Sequence, residues 1–516
     1  MRSHVARRRL ALVLGIALFV IVGCTAAPPP QPSRQLVLII DGLRPDYVTR
    51  ELMPNLFGLG ERGAVYTNHH AVFPTVTRVN AASIATGAYP EHHGLMGNTI
   101  YVQAVDVSRS LSTAERENLE AVESATSGQL LTVASLGELL RSAGRKLLVV
   151  SSGSTGSAFL LNHRPAGGSA VLHTDYTLPA ELHGHIIEVL GPSPEAGAPS
   201  AARNRRAIDA YVQIGLDEIV PDATFIWLTD PDTTAHEHGV GAPATREALR
   251  LVDNEIGRIE RALADRQLLD TTNIMVTSDH GFSTHTAELN LGTLLEPFAG
   301  RLADGSPALM NAGGAIHLRG QMNPSRLLEL IRTLQQRPEV GAIFTRPRAA
   351  GDSAGVAPGT LSFDIAHWNH ERAGDILVSA NWTDSKNEHG FAGTTTQGGV
   401  AGHGTSSPYD IHNTLIAAGP DFRAAVRIDV PSANVDLAPT VLHLLNLPIP
   451  PTMTGRVLDE ALQDGRAPES VAVSQRRYVS ASEDGSYVVT AHVSVVDGRS
   501  YLDYTEVRRP ALGATR

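Results

Sequence analysis

The chain has a single cysteine, Cys24, in 516 residues. No disulfide can close within it, so its stability must come from a packed core. A long apolar run is also missing. The stretch near the start spans only Leu10 to Val22, too short for a transmembrane helix. Nor is there an excess of positive charge: the net charge is -11. That excludes a duplex nucleic-acid binder held by general phosphate neutralisation. It leaves open a site that grips one phosphate through metal ions. No internal repeat is present. What remains is a globular composition, 42% hydrophobic and 18% charged, long enough for one large domain with insertions or several smaller ones.

The N-terminus reads as a targeting segment. Arg2, Arg7, Arg8 and Arg9 precede the apolar stretch, and Ile21-Val22-Gly23-Cys24 follows it. This resembles a bacterial lipobox, which implies a signal peptide over 1–23 and lipidation of Cys24. A Pro-rich tether follows over 24–33. The expected location is the cell envelope, through a lipid anchor in the membrane. Thr25 after Cys24, in place of Asp, points to the periplasmic face of the outer membrane if the host is Gram-negative.

Five short apolar runs then read as strands buried on both faces. They are Gln35–Ile40, Lys146–Val150, Thr224–Leu228, Asn273–Thr277 and Thr414–Ala417. Helical patterns lie over Thr132–Ser142, Thr245–Leu269 and Val435–Leu447. The alternation predicts an α/β fold with a mainly parallel central sheet flanked by helices. The core domain is expected over 34–465. Within it, residues of about 300–395 read as an irregular, Gly-rich insertion or cap, with weak strands at Ala315–Leu318 and Asp375–Ser379. A small C-terminal β extension is expected over 466–516, with a hairpin from Tyr487–Val489 and Ala491–Val496.

Ligands of such sheets sit beyond the carboxyl ends of the strands. The polar residues there are Asp41, then Asp230, Asp232 and His236, then Asp279 and His280. The loop GGVAGHGTSS adds His403 before the last core strand. Each alone is a common turn or cap residue. Together they make a set of carboxylates and imidazoles that suits Zn²⁺. Three aspartates and three histidines can serve two dications with open positions for substrate, a device for in-line displacement at phosphorus.

The stretch FPTVTRVNAASIATGAYPEHHGLMGN, from Phe73 to Asn98, is dense in hydroxyls and lacks a clean helical stripe. It fits a nucleophile loop or helix start. Thr77 is the candidate nucleophile, activated by coordination. Ala81, Ala82, Ser83 and Ala85 allow close packing beneath it. Asn98 supplies an amide N–H to a phosphoryl oxygen. Thr75 is the rival hydroxyl.

The order Asp41-Gly42, Thr77, Asp232-x-x-x-His236, Asp279-His280 and His403-Gly404 resembles the alkaline phosphatase superfamily, in its nucleotide pyrophosphatase/phosphodiesterase branch. Thr86-Gly87-Ala88-Tyr89-Pro90-Glu91-His92-His93-Gly94 and the Thr77–Asn98 spacing carry the same likeness. The resemblance implies two Zn²⁺ per chain. One would be held by Asp232, His236 and His403, the other by Asp41, Asp279, His280 and the Thr77 hydroxyl. It implies a small phosphorylated substrate and hydrolysis of phosphodiester or pyrophosphate bonds through a phospho-threonine that water then cleaves. His92, His93 and His238 are not expected to be ligands.

The chain departs from that pattern at Arg78, where nucleotide-cleaving relatives carry an aromatic residue. Arg78 is either a substrate-anion contact or a solvated or ion-paired arm. Trp227 is either near the substrate or in the core. Rival readings are a phosphomonoesterase and a phosphonoacetate-hydrolase-like C–P hydrolase. The latter lacks a carboxylate-binding lysine between Asn98 and Lys146. A rival of another class, a non-catalytic surface lipoprotein on this scaffold, sits poorly with a chain that retains every ligand.

Overall fold

A continuous apolar strand needs cover on both faces, and β1 (Arg34–Ile40) has it. Val37 and Ile39 enter one hydrophobic cluster; Leu36, Leu38 and Ile40 enter another on the opposite face. The computed structural model describes residues 32–320 and 324–510. Cys24, the signal segment and most of the expected tether lie outside them. Among the described residues no helix is long and apolar enough to cross a membrane.

Ten strands form the main sheet. The other principal ones are β2 (Ala64–His70), β3 (Leu147–Ser151), β4 (Ala170–His173), β5 (Ala223–Leu228), β6 (Thr272–Thr277) and β7 (His412–Ala418). Their spatial order is β2-β7-β6-β1-β5-β3-β4. From β6 to β4 every pairing is parallel. The exception at the core is β7, antiparallel to both β6 and β2.

The hydroxyl-rich stretch from Phe73 to Asn98 contains a helix, α1 (Thr77–Thr86), with every residue but Arg78 buried. A helix covered all round shows no amphipathic stripe, which is why its sequence hides it. Gly87 ends it with φ +61°, a left-handed C-cap that glycine adopts without strain. The next helix named in the sequence reading, α2 (Leu136–Ser142), starts later than Thr132, because Ser135 and Glu138 form a capping box that fixes the first turn. After β5 comes α3 (Asp232–His238). It is followed by α4 (Pro243–Asp265), which buries Ala248, Val252, Ile256, Ile259 and Leu263 and stops short of Leu269. The late helix α5 (Leu437–Leu444) is preceded by a 3-10 turn at Asn434–Asp436.

Residues 300–395 are more ordered than the sequence implies. Leu309–Ala312, Ala315–Leu318, Ile376–Ala380, Val340–Thr345 and Leu361–Ser362 pair in that order as a five-stranded sheet, with a helix at Pro324–Gln335. Its strands are short and split by more than fifty residues, so no local pattern marks them as one sheet. The expected C-terminal hairpin is a three-stranded meander. Its middle strand β9 (Val488–Val496) lies between β8 (Val473–Ala481) and β10 (Arg499–Arg508). β8 is exposed along most of its length and lacks the alternation that betrays a half-buried strand.

A buried ion pair ties these parts together. Both Arg456 terminal nitrogens donate to Glu460 at 2.6 Å, and the two residues are 4% and 0% exposed. Tyr66 of β2 donates to Glu460 Oε1 at 2.9 Å. Arg456 Nε donates to the hydroxyl of Tyr501 on β10 at 3.1 Å, and that hydroxyl donates to Asp436 at 3.2 Å. Removing one member of such a pair strands the other charge. Arg456→Ala is therefore expected to cost about 3–5 kcal/mol of stability in denaturant unfolding; a loss under about 1 kcal/mol, the range of an exposed ion pair, would contradict this role.

Candidate metal centre and active site

Every candidate ligand reaches one edge of the sheet. Asp41 follows β1, Asp232 opens α3 after β5, and Asp279 and His280 follow β6. His236 lies one helical turn after Asp232, on the same face. His403 comes from the loop before β7. Because β7 is antiparallel, its beginning lies where the parallel strands end. Gly42 makes the close approach feasible. It has φ +71°, and a Cβ there would lie 3.3 Å from the Asp232 Cα and 3.0 Å from the Phe282 ring. Its N–H donates to Asp279 Oδ1 at 3.2 Å.

The ligands converge in two groups, Asp232/His236/His403 and Asp41/Asp279/His280, the ligand atoms of each lying within 4.8 Å of one another. The histidines show what the groups are built for. His236 Nδ1 donates to Ala401 O at 2.9 Å, His280 Nδ1 to Gly281 O at 2.9 Å, and His403 Nδ1 to Thr75 O at 2.8 Å. A carbonyl only accepts, so each Nδ1 carries a proton and each Nε2 faces inward, its lone pair available to a cation when the ring is neutral. His236 Nε2 and His403 Nε2 lie 3.2 and 3.4 Å from Asp232 Oδ1. His280 Nε2 lies 3.0 Å from Asp279 Oδ2 and 3.5 Å from Asp41 Oδ1. Those three carboxylate oxygens are buried and have no hydrogen-bond partner.

Lone pairs set against lone pairs in a buried site repel unless a cation lies between them. A proton relieves one N···O pair, whereas each group presents three ligand atoms. The titration behaviour reflects the crowding. Burial, with Asp232 and Asp279 nearby, pushes the Asp41 carboxyl well above the usual range. Burial, with the charge of His280, pushes His403 down to about 4. The residues therefore fit divalent cations, with nitrogen and carboxylate donors of the kind zinc takes. The rings of His280 and His403 stack with centroids 3.4 Å apart, so the two groups adjoin.

The hydroxyl-rich stretch is resolved residue by residue. Thr77 Oγ1 lies 3.4 Å from His280 Nε2, at the mouth of the second group. The Thr75 hydroxyl donates to Thr405 O at 2.8 Å and accepts from Gly404 N–H at 3.1 Å, so it holds the His403 loop in place. Asn80 clasps the turn ahead of α1, accepting from Val72 N–H at 2.7 Å and donating to Val72 O at 3.0 Å. Ser83 contacts His93 Nε2 at 3.0 Å, and Thr86 bonds back to Ala82 O at 2.7 Å. Asn98 accepts the Arg78 backbone N–H through Oδ1 at 2.9 Å, which leaves its NH₂ free to donate.

Some sequence candidates take other places. Trp227 is fully buried, and its indole N–H donates to Asp41 Oδ2 at 3.0 Å; it positions a ligand from the core and does not face a substrate. Asp230 accepts from Ser200 N–H and the Thr234 hydroxyl, both at 2.7 Å, and stays outside both groups. Asn434 escaped the sequence reading. Its NH₂ donates to Asp279 O at 2.9 Å and to Asn80 Oδ1 at 3.0 Å, joining α1 to the end of β6. No local pattern marks it. A third group, His70/His412/Asp503, differs in kind. Asp503 accepts from Ser494 through both oxygens at 2.8 and 3.0 Å and meets His70 Nε2 at 2.9 Å, so its oxygens are already satisfied.

The type I phosphodiesterase/nucleotide pyrophosphatase family model matches residues 35–385. Venom phosphodiesterase 2 of Crotalus adamanteus is 28% identical over 262 residues, covering 50% of this chain and 28% of the relative. Ectonucleotide pyrophosphatase/phosphodiesterase family member 3 of Rattus norvegicus is 27% identical over 248 residues, covering 48% of this chain and 24% of the relative. The matches thus span about half of this chain and about a quarter of each relative. Among solved structures, an inactive variant of murine ectonucleotide pyrophosphatase/phosphodiesterase 5 in complex with AMP superposes with a TM-score of 0.60 at 17% identity. It covers 84% of this chain and 100% of that one, a likeness of fold. The family model covers more than half of the sequence, and the chain belongs to the type I phosphodiesterase/nucleotide pyrophosphatase family.

Proposed function

We propose that the chain is a phosphoric ester hydrolase that cleaves phosphodiester or pyrophosphate bonds through Thr77 at a site for two Zn²⁺ ions. The observation that carries this reading is the set of three orphaned carboxylate oxygens facing three histidine Nε2 atoms beside the Thr77 hydroxyl. Bound zinc would polarise the phosphoryl oxygens and favour the ionised Thr77 hydroxyl. Asp232, His236 and His403 would hold one ion; Asp41, Asp279 and His280 would hold the other. Thr77 Oγ1 attacks phosphorus, the leaving oxygen departs on the opposite side, and water later releases the phosphoryl group from Thr77. Asn98 donates through its NH₂ to a non-bridging oxygen as charge develops there. Its Oδ1 bond to the Arg78 N–H fixes that orientation.

Thr77→Ala removes the nucleophile but leaves the six Asp and His ligands. Zinc content is expected to persist while turnover of chromogenic diesters falls by several orders of magnitude. Each tenfold corresponds to about 1.4 kcal/mol of barrier. Thr77→Ser keeps the oxygen and is expected to retain part of the activity. Asn98→Ala is expected to lower turnover by on the order of 10²–10³. Near-normal turnover in Thr77→Ala would rule out the covalent route.

We also propose attachment to the cell envelope through a lipidated Cys24. Support comes from the lipobox and from the absence of any other cysteine. Cys24→Ser is expected to release the protein from membranes or to leave it unprocessed. Mass spectrometry showing an unmodified mature N-terminus downstream of Cys24 would contradict the anchor.

A further inference from the structure

Arg78 is the second residue of α1, directly after Thr77. Its backbone N–H is committed to Asn98, but its side chain has no such commitment. The Nε is buried without a hydrogen-bond partner, and among the described residues the guanidinium makes no ion pair. The buried arginines Arg44 and Arg456 behave differently. Arg44 donates to Phe282 O at 2.6 Å and pairs with Asp46 at 2.6 Å, and Arg456 grips Glu460. The guanidinium groups of Arg44 and Arg456 are committed to carboxylates; that of Arg78, next to Thr77, is not. Its charge acts on Asp41, Asp232 and Asp279 and on His236, members of both ligand groups. The cation thus acts electrostatically on the centre and forms no ion pair with any of its ligands among the described residues.

Charge balance shows what this does. Two dications, three carboxylates and an ionised Thr77 cancel. Arg78 then leaves the site with one net positive charge. A singly charged diester brings it to neutrality, and a second negative charge is met less unfavourably than it would be with a neutral residue at position 78. Arginine also offers a planar fork of donors suited to phosphoryl oxygens.

We propose that Arg78 selects substrates carrying a second negative charge beside the scissile phosphorus, either the dianion of a phosphate monoester or a phosphoanhydride, over singly charged diesters. This inference rests on the hydrolase reading above. Arg78 touches the extra anionic oxygen, and the diester of an uncharged alcohol gives it nothing further to hold.

The test compares zinc-loaded wild type, Arg78→Gln and Arg78→Lys on p-nitrophenyl phosphate, a dinucleoside diphosphate and bis-p-nitrophenyl phosphate. In Arg78→Gln, kcat/KM for at least one of the first two, relative to the diester, is expected to fall roughly ten- to a hundredfold, the range of a lost charged hydrogen bond. A fall confined to p-nitrophenyl phosphate assigns the charge to a terminal phosphate; a fall confined to the dinucleotide assigns it to an anhydride. Arg78→Lys is expected to recover part of the ratio, because the charge remains and the fork is lost. A readout without turnover is inorganic phosphate binding, by calorimetry, to the zinc-loaded Thr77→Ala protein. Adding Arg78→Gln is expected to weaken it by roughly tenfold or more. Unchanged ratios for both charged substrates, or unchanged phosphate affinity, would overturn the proposal. A wild type that hydrolyses none of the three would instead sink the hydrolase reading.

Discussion

The arrangement on which the site depends is a set of three hydrogen bonds that contain no catalytic atom. Carbonyls of Ala401, Gly281 and Thr75 hold the Nδ1–H groups of His236, His280 and His403. They fix the tautomer of each ring and turn its Nε2 lone pair inward. Opposite stand carboxylate oxygens that nothing else satisfies, although buried polar atoms are ordinarily paired. The protein leaves these oxygens without partners where cations can compensate them. The contrast with Asp503, whose oxygens are occupied, separates a site prepared for metal from a buried polar tie.

The fold serves this arrangement through one reversal of direction. Parallel strands β1, β5 and β6 carry Asp41, Asp232, Asp279 and His280 to their carboxyl ends, the edge at which α/β sheets bind ligands. His403 precedes its strand, and only the antiparallel course of β7 brings it to the same edge. Helix α1, which opens on Thr77, is locked to this frame from two sides. Thr75 accepts and donates across to the His403 loop, and Asn434 bridges Asn80 to the Asp279 carbonyl.

Much of this was legible in the sequence because its physical cause is local. Apolar runs mark strands covered on both faces, and the acidic and imidazole residues that follow them stand out against such runs. The direction of β7 was not legible, since strand sequence carries no sign of its pairing. Helix α1 was obscured by its own burial, which removes the amphipathic stripe. The five-stranded sheet within residues 300–395 was obscured because its partners lie far apart along the chain. Trp227 could be read as a substrate aromatic or as core, and only its bond to Asp41 decides for the core. Thr75 and Thr77 looked alike as hydroxyls; the difference is that the Thr75 hydroxyl is spent on Thr405 and Gly404, whereas Thr77 faces His280.

The central claim is that two cations complete two adjoining groups of ligands. X-ray diffraction at the zinc absorption edge, on crystals grown with zinc, tests it most directly. The account predicts two anomalous peaks, one among Asp232, His236 and His403 and one among Asp41, Asp279 and His280, about 3.5–4 Å apart as in two-metal phosphoryl-transfer sites. A single peak shared by all six residues, or no peak at either group, would contradict it.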